Sequence, residues 1–230
     1  EKFSAGSSII WAVLVGVPAG ILFFLAFIYY QKSVYHNGVG LAGAFSKLGI
    51  VIPTFFSILV WNEIPTPLQW VGILLSLISI VLINVSIRDL DTGDIRISLI
   101  LLLFFGGLAE FSNKIFQKYA LIDFKIVFLL FVFFSAFLTS FIFLRYMGRP
   151  FERNEVILGS IVGVPNLFSA FFLILALDSM KASIVFPIFS ATSIVVINLA
   201  GFFLFKEKIN GREKFSIILT IIALILINLK

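Results

Sequence analysis

Cysteine is absent from the 230-residue sequence, and His36 is its single histidine. Without cysteine the chain has no disulfide, no reactive thiolate and no cysteine metal site. The sequence also lacks an H-E-x-x-H motif, a Ser-His-Asp arrangement, a G-x-x-x-x-G-K-[ST] phosphate-binding loop and paired acidic metal ligands. These absences predict a protein that is not an enzyme, needs no cofactor or metal, and does not use ATP directly.

Charge is also scarce in this chain. Charged residues make up 13% of it and hydrophobic residues 60%, and the mean hydropathy is +1.14. A soluble domain carries about 25% charged residues. Apolar runs of about 20 residues recur, each long enough to cross the roughly 30 Å hydrocarbon core of a bilayer. The composition predicts an all-α polytopic membrane protein. The net charge of +5 lies mostly in the predicted loops, where it favours contact with lipid headgroups and does not indicate nucleic-acid binding.

The apolar runs predict eight transmembrane helices joined by short polar connectors, with the stretch 31–37 as the first loop. Tryptophan and tyrosine residues near the ends of the runs fit an interfacial belt. The predicted helices cover approximately residues 8–30, 38–61, 67–86, 97–119, 124–145, 156–178, 181–205 and 213–229.

An internal repeat relates the two ends of the chain. We predict a partial N-terminal repeat of three helices in residues 1–86 and a C-terminal repeat of five helices in residues 97–230. The matches are Gly-Val-Pro at 16–18 and 163–165, Phe-Ser at 45–46 and 189–190, Glu63 and Glu207, and Leu-Ile-Asn at 82–84 and 226–228.

The first repeat is two helices shorter than the second, so two further helices are expected before Glu1. A five-helix unit crosses the membrane an odd number of times, and two complete copies would therefore sit inverted. Inverted repeats are a recurrent plan of secondary transporters, with the substrate site near the bilayer midplane where the halves meet.

The stretch 53–83 carries a family pattern: a proline within a helix, a glutamate at its end, a short turn, then glutamine, glycine and a long apolar helix. These residues are Pro53, Glu63, Gln69 and Gly72. The pattern resembles the signature of EamA-like domains in the drug/metabolite transporter superfamily. The resemblance implies a ten-helix, two-repeat fold, here without its first two helices, that moves small organic solutes through a central cavity.

Ionisable and polar side chains inside the apolar segments are the candidates for a substrate site, because they are costly in lipid. We predict that Lys47, near the middle of segment 38–61, binds a carboxylate or phosphate, with Glu110 as its counter-ion or as a proton carrier. The alternatives are a structural ion pair, which Lys114 could form with Glu110 instead, or a lysine that snorkels to the headgroups. Interhelical hydrogen bonding explains the other candidates equally well. They are Asn113, Asn166, Ser190 and Asn198.

Glu63 and Glu207 repeat at helix ends and are predicted to be structural. The predicted function is secondary transport, by export or exchange, of small organic metabolites through alternating access in the cell membrane (inner or plasma membrane). The alternatives are a lipid-linked carrier flippase and a non-transporting membrane scaffold. Expected partners are a small-molecule metabolite, the lipid bilayer and a second copy of the chain in a homodimer.

Overall fold

The computed structural model describes residues 4–84, 97–148, 153–205 and 211–229, and the regular structure within these ranges is helical. A 3₁₀ turn, Ile122–Phe124, joins two of the helices, Ile97–Tyr119 and Lys125–Tyr146. The helices are α1 (Ala5–Leu48), α2 (Val51–Trp61), α3 (Pro67–Asn84), α4 (Ile97–Tyr119), α5 (Lys125–Tyr146), α6 (Arg153–Ser179), α7 (Ala182–Phe205) and α8 (Gly211–Asn228).

Several of these helices are suited to a membrane by length and composition. In the described part of the chain, four stretches are long and apolar enough to cross a bilayer, and two shorter apolar helices accompany them. The prediction of an all-α polytopic membrane protein is confirmed. The four stretches are Ala5–Trp61, Ile97–Tyr119, Ile122–Tyr146 and Glu155–Ser179, and the shorter two are Pro67–Leu82 and Ala182–Ile197.

Residues 31–37, predicted as a loop, are helical, and the break between the first two predicted helices lies instead at Gly38, where two helical parts of α1 meet. The single non-helical residue inside α1 is Gly38, at φ 82° and ψ 163°. Polar composition alone does not end a helix, and this stretch holds no residue that breaks one before Gly38. Glycine adopts positive φ without a steric penalty, so the chain changes course there.

The predicted helix 38–61 is interrupted at residues 49–50, between α1 and α2. Pro53 has no N–H to donate to the carbonyl of Gly49, four residues earlier, and its ring crowds that carbonyl. The Gly49 carbonyl instead accepts the Ile52 N–H at 3.1 Å. Lys47 therefore lies in the last turn of α1, and the expectation that it sits near the middle of one continuous helix is corrected.

The residues group into two compact units. The first combines the chain up to Leu25 with Leu108–Met180, and the second combines Ala26–Gly107 with the chain from Lys181 onward. Each unit takes segments from both predicted repeats, so packing does not test the boundaries at residues 86 and 97, which stay a prediction.

Aromatic contacts hold the first unit together. The rings of Phe116 and Phe128 are fully buried and stack at 4.4 Å, which joins α4 to α5. The rings of Trp11 and Tyr119 stack at 5.1 Å, which joins α1 to α4. The Leu121 N–H donates to the Ser8 hydroxyl at 3.1 Å near the same place. These contacts fix the C-terminal half of α4 against its neighbours.

Small residues and hydroxyls join α3 to α8 in the second unit. A Cβ at Gly72 would come within 2.9 Å of the Ala223 carbonyl, and the Thr220 hydroxyl donates to Ser79 at 2.9 Å. Because lipid is as apolar as leucine, close packing and interhelical hydrogen bonds drive such association. The partner numbers fall along α8 as they rise along α3, so the two helices are antiparallel.

Candidate solute-binding site

One stripe of α4 is polar although the helix is otherwise apolar. Glu110, Asn113, Lys114 and Gln117 follow one another at spacings of three and four, which places them on one helix face. Asn113 and Lys114 are only 2% and 3% exposed. These residues, called the α4 polar stripe below, all lie in the first unit.

Hydrogen bonds connect the stripe internally and to α6. The Asn113 amide donates to a Glu110 carboxylate oxygen at 3.2 Å, which brings these two predicted site residues together. The Lys114 ammonium donates to the Gln117 carbonyl oxygen at 3.0 Å. The Gln117 amide donates in turn to the Asp178 carboxylate at 3.4 Å. A buried cation is thus connected through one amide to an exposed carboxylate at the end of α6.

Lys114, Gln117 and Asp178 were not among the predicted site residues. For Lys114 the signal was present, since it is one turn from Glu110, but charge pairing alone did not indicate its burial. A charged lysine within a membrane helix is costly, and it usually pairs with other polar groups. The hydrogen bond to Gln117 offsets part of that cost.

In the second unit, Lys47 and Ser190 meet through the backbone. The Ser190 hydroxyl donates to the carbonyl oxygen of Lys47 at 3.2 Å, and the Ile50 N–H approaches the same oxygen at 3.5 Å. Ser190 therefore satisfies a backbone acceptor at the helix interruption. The side chain of Lys47 is half-buried. One turn into α2, the buried Thr54 hydroxyl has no hydrogen-bond partner among the described residues.

The remaining two candidates lie elsewhere. Asn166 is exposed on α6, whereas its repeat counterpart Ala19 is fully buried on α1. Asn198 belongs to α7, and its side chain lies outside the described ones.

The residues of the 53–83 pattern have structural partners. The Glu63 carboxylate accepts the Ala182 N–H at 2.6 Å, which caps the start of α7. Thr66 and Gln69 exchange side-chain to backbone hydrogen bonds around Pro67, an arrangement that starts α3 as a capping box. This geometry agrees with the structural role predicted for Glu63. Glu207 lies outside the described residues.

A surface cleft of about 390 Å³ lies along α8 and contains none of the predicted site residues. Apart from one amide, apolar side chains line it, which suits contact with lipid rather than with a polar solute. Its lining residues are Ile221, Leu224, Ile225, Asn228 and Leu229.

Helical spans and a polar stripe within one of them are typical of membrane transporters. Family comparison gives the same class: the EamA-like transporter family matches residues 1–85, and the Small Multidrug Resistance protein family matches residues 139–221. No curated protein matches the chain. The match of residues 1–85 confirms the predicted resemblance to EamA-like domains. The protein is a multi-pass membrane transporter of the small-molecule, drug/metabolite kind.

Proposed function

We propose that this protein is a secondary transporter that exports or exchanges small organic metabolites by alternating access. The observation that carries the proposal is the α4 polar stripe, which places Glu110 and Asn113 side by side within an apolar spanning helix. Ionisable residues at such positions mark substrate or ion pathways by default. The transporter class supports the same conclusion.

Within the stripe, Glu110 binds a proton or a cationic group of the solute, and Asn113 orients its carboxylate. A carboxylate accepts hydrogen bonds from a cationic group at either of its two oxygens and can also take up a proton. Protonation or ligand binding at Glu110 would then change the charge carried inside the membrane, which is how an ion gradient drives solute movement.

In the second unit, Lys47 binds an anionic group of the solute. Its position beside an interrupted helix supports this role, because residues at such interruptions line solute sites in many transporters. The buried hydroxyl of Thr54 supplies a further hydrogen-bond donor nearby. Asn166, Ser190 and Asn198 remain proposed solute contacts. The hydrogen bond from the Ser190 hydroxyl to the Lys47 carbonyl supports an additional structural role for Ser190.

Ligand-dependent melting of the purified protein tests the proposal. The panel comprises amino acids, organic acids, sugar phosphates, nucleotides and lipid-linked sugars, applied to wild type, Lys47→Ala and Glu110→Gln. A ligand that binds only the folded state raises the melting temperature with its concentration. Glu155→Gln, at the exposed start of α6, is the matched control for Glu110→Gln.

We expect one class of soluble metabolite to raise the melting temperature of wild type and of the control, and to do so less in both site variants. If no soluble ligand shifts wild type while the two substitutions only lower its stability, the protein is a scaffold. A shift confined to lipid-linked ligands would identify a carrier flippase and contradict the proposal.

A further inference from the structure

Three buried polar atoms at one end of α1 and α4 find no hydrogen-bond partner among the described residues. They are Ser33 Oγ, Asn37 Nδ2 and Ser98 Oγ. Ser33 is fully buried. The Asn37 Nδ2 atom is a donor only, so it needs an acceptor that the closed packing does not supply. All three residues belong to the second unit.

The helix register brings these three side chains to one place. The rings of Tyr29 and Phe105 stack at 5.6 Å, which shows the faces that α1 and α4 turn toward each other. Ser33 and Asn37 follow Tyr29 on its face, four and eight residues on. Ser98 precedes Phe105 by seven residues and shares the face of that ring.

The two helices run in opposite directions, so the polar residues lie toward the same end. From Ser8 to Trp11 the numbers rise along α1, whereas their partners fall from Leu121, just past the end of α4, to Tyr119 in its last turn. From the Tyr29–Phe105 stack, Asn37 lies about 12 Å along α1 and Ser98 about 10 Å along α4. Ser33, Asn37 and Ser98 are called the access seam below.

Gly38 directly follows this seam and is the non-helical residue of α1. Its φ of 82° is a conformation that residues with a Cβ rarely adopt, and a Cβ built there would meet nothing within 4 Å. The part of α1 beyond Gly38 is therefore not held by continuous helix geometry. The backbone at this point has both the freedom and the space to change course.

Burying a polar group without a partner is unfavourable, and water is the partner that removes the penalty. Opening the seam would hydrate three such groups together, whereas opening an apolar seam would only expose hydrocarbon. The free energy needed to open and hydrate this seam is therefore smaller than for an apolar seam of the same size.

We propose that the access seam is an aqueous gate, which opens at Gly38 so that water and then solute reach the interior of the second unit. The inference rests on the proposed secondary transport and names the place where one of its access states opens. The ligand of the open seam is water, held by the two serine hydroxyls and the Asn37 amide.

Because the chain contains no cysteine, single cysteines report water access without background. Ser33→Cys and Ser98→Cys would be reacted with a membrane-impermeant thiol reagent in membranes opened on both sides. Ser76→Cys on α3 is the matched control for Ser33→Cys, since both serines are fully buried but the Ser76 hydroxyl donates to the Ile73 carbonyl at 2.7 Å. We expect at least tenfold faster labelling at the seam, and equal rates would overturn the gate.

A second variant keeps the test informative if cysteine disturbs the packing. Ser33→Ala with Ser98→Ala removes two buried hydroxyls that have no hydrogen-bond partner in the described part of the chain, and it stabilises the closed seam. We expect the melting temperature to rise by about 2–4 °C or more while solute exchange slows severalfold. A fall in melting temperature, or a rise with unchanged exchange, contradicts the inference.

The two proposals fail differently. Rapid seam labelling in a protein that moves no solute would reject secondary transport and leave a water-accessible seam. Solute exchange by wild type, with slow seam labelling and no effect of the alanine variant, would keep secondary transport and reject the gate.

Discussion

At the scale of single residues, hydrogen-bond partners separate polar groups that hold the fold from those that can act on a solute. The Ser190 hydroxyl donates to the Lys47 carbonyl at the interruption between α1 and α2, and Glu63 caps α7, so both residues have structural roles. The α4 polar stripe has partners too, but it places a carboxylate and an ammonium group inside an apolar spanning helix. Ionisable groups at such positions mark substrate or ion pathways, which is why we assign the stripe to the solute.

Gln117 accepts one hydrogen bond from the buried Lys114 ammonium. Gln117→Ala removes that acceptor and the donor to Asp178. Leaving a charged donor short of a partner should lower the free energy of unfolding by about 1–3 kcal/mol, measured as denaturant or thermal unfolding in detergent. Gln31→Ala, an exposed glutamine on α1, is the control and should change stability by less than about 0.5 kcal/mol. Equal effects would show that the stripe contributes nothing to stability.

Glu63 tests the capping role at a helix start. Glu63→Ala should lower the free energy of unfolding by about 0.5–2 kcal/mol, because the Ala182 N–H loses its acceptor. Glu63→Gln keeps a carbonyl oxygen in the same place and should cost less. A larger loss with glutamine than with alanine would point to the charge of Glu63, not to its capping geometry. Unfolding monitored by helical circular dichroism distinguishes the two results.

At the scale of helices, glycine and proline explain where the sequence was read correctly and where it was not. Apolar length predicted α3, α4, α5 and α7 to within a few residues. Apolar length does not reveal that residues 31–37 are helical up to the break at Gly38, nor that Pro53 interrupts the next helix at residues 49–50. Both departures decide the surroundings of candidate sites, so the access seam and the position of Lys47 could not be foreseen from apolar length.

Gly107 holds α4 close to the interruption between α1 and α2. A Cβ at Gly107 would meet the Gly49 carbonyl and approach the Ile52 side chain at 2.6 Å, so the helices would have to separate. Gly107→Ala should therefore lower stability by about 1–3 kcal/mol in thermal unfolding. Gly106→Ala is the matched control: its Cβ meets nothing within 4 Å, and it should stabilise α4 by about 0.5–1 kcal/mol. The same sign at both positions would refute this account of the packing.

At the scale of the whole molecule, the predicted repeat has unequal surroundings in its two copies. Gly16 packs against α5, where a Cβ would lie 3.0 Å from Phe131, whereas its counterpart Gly163 has open space around it. Similarly, Ala19 is buried and Asn166 is exposed. Equivalent sequence positions thus carry different chemistry, and an asymmetric solute with one anionic end would use such a difference.

Polar residues in apolar segments predicted part of the candidate site. Glu110 and Asn113 do lie together, because both depend on the periodicity of one helix. The hydrogen bond from Gln117 to Asp178 depends on the end of α6 lying beside α4, and this tertiary contact cannot be predicted from a single sequence. The access seam depends on the same kind of tertiary relationship, since serine and asparagine near a helix end look like ordinary interfacial residues in a single sequence.

The central claim is solute exchange without ATP, and counterflow in sealed proteoliposomes tests it most directly. Vesicles loaded with the unlabelled solute found by melting are placed in a trace of the labelled form, with wild type, Glu110→Gln and Glu155→Gln. We predict transient accumulation of label with wild type and Glu155→Gln, and at least tenfold less with Glu110→Gln. No accumulation with wild type, or equal accumulation with Glu110→Gln, would contradict secondary transport through the α4 polar stripe.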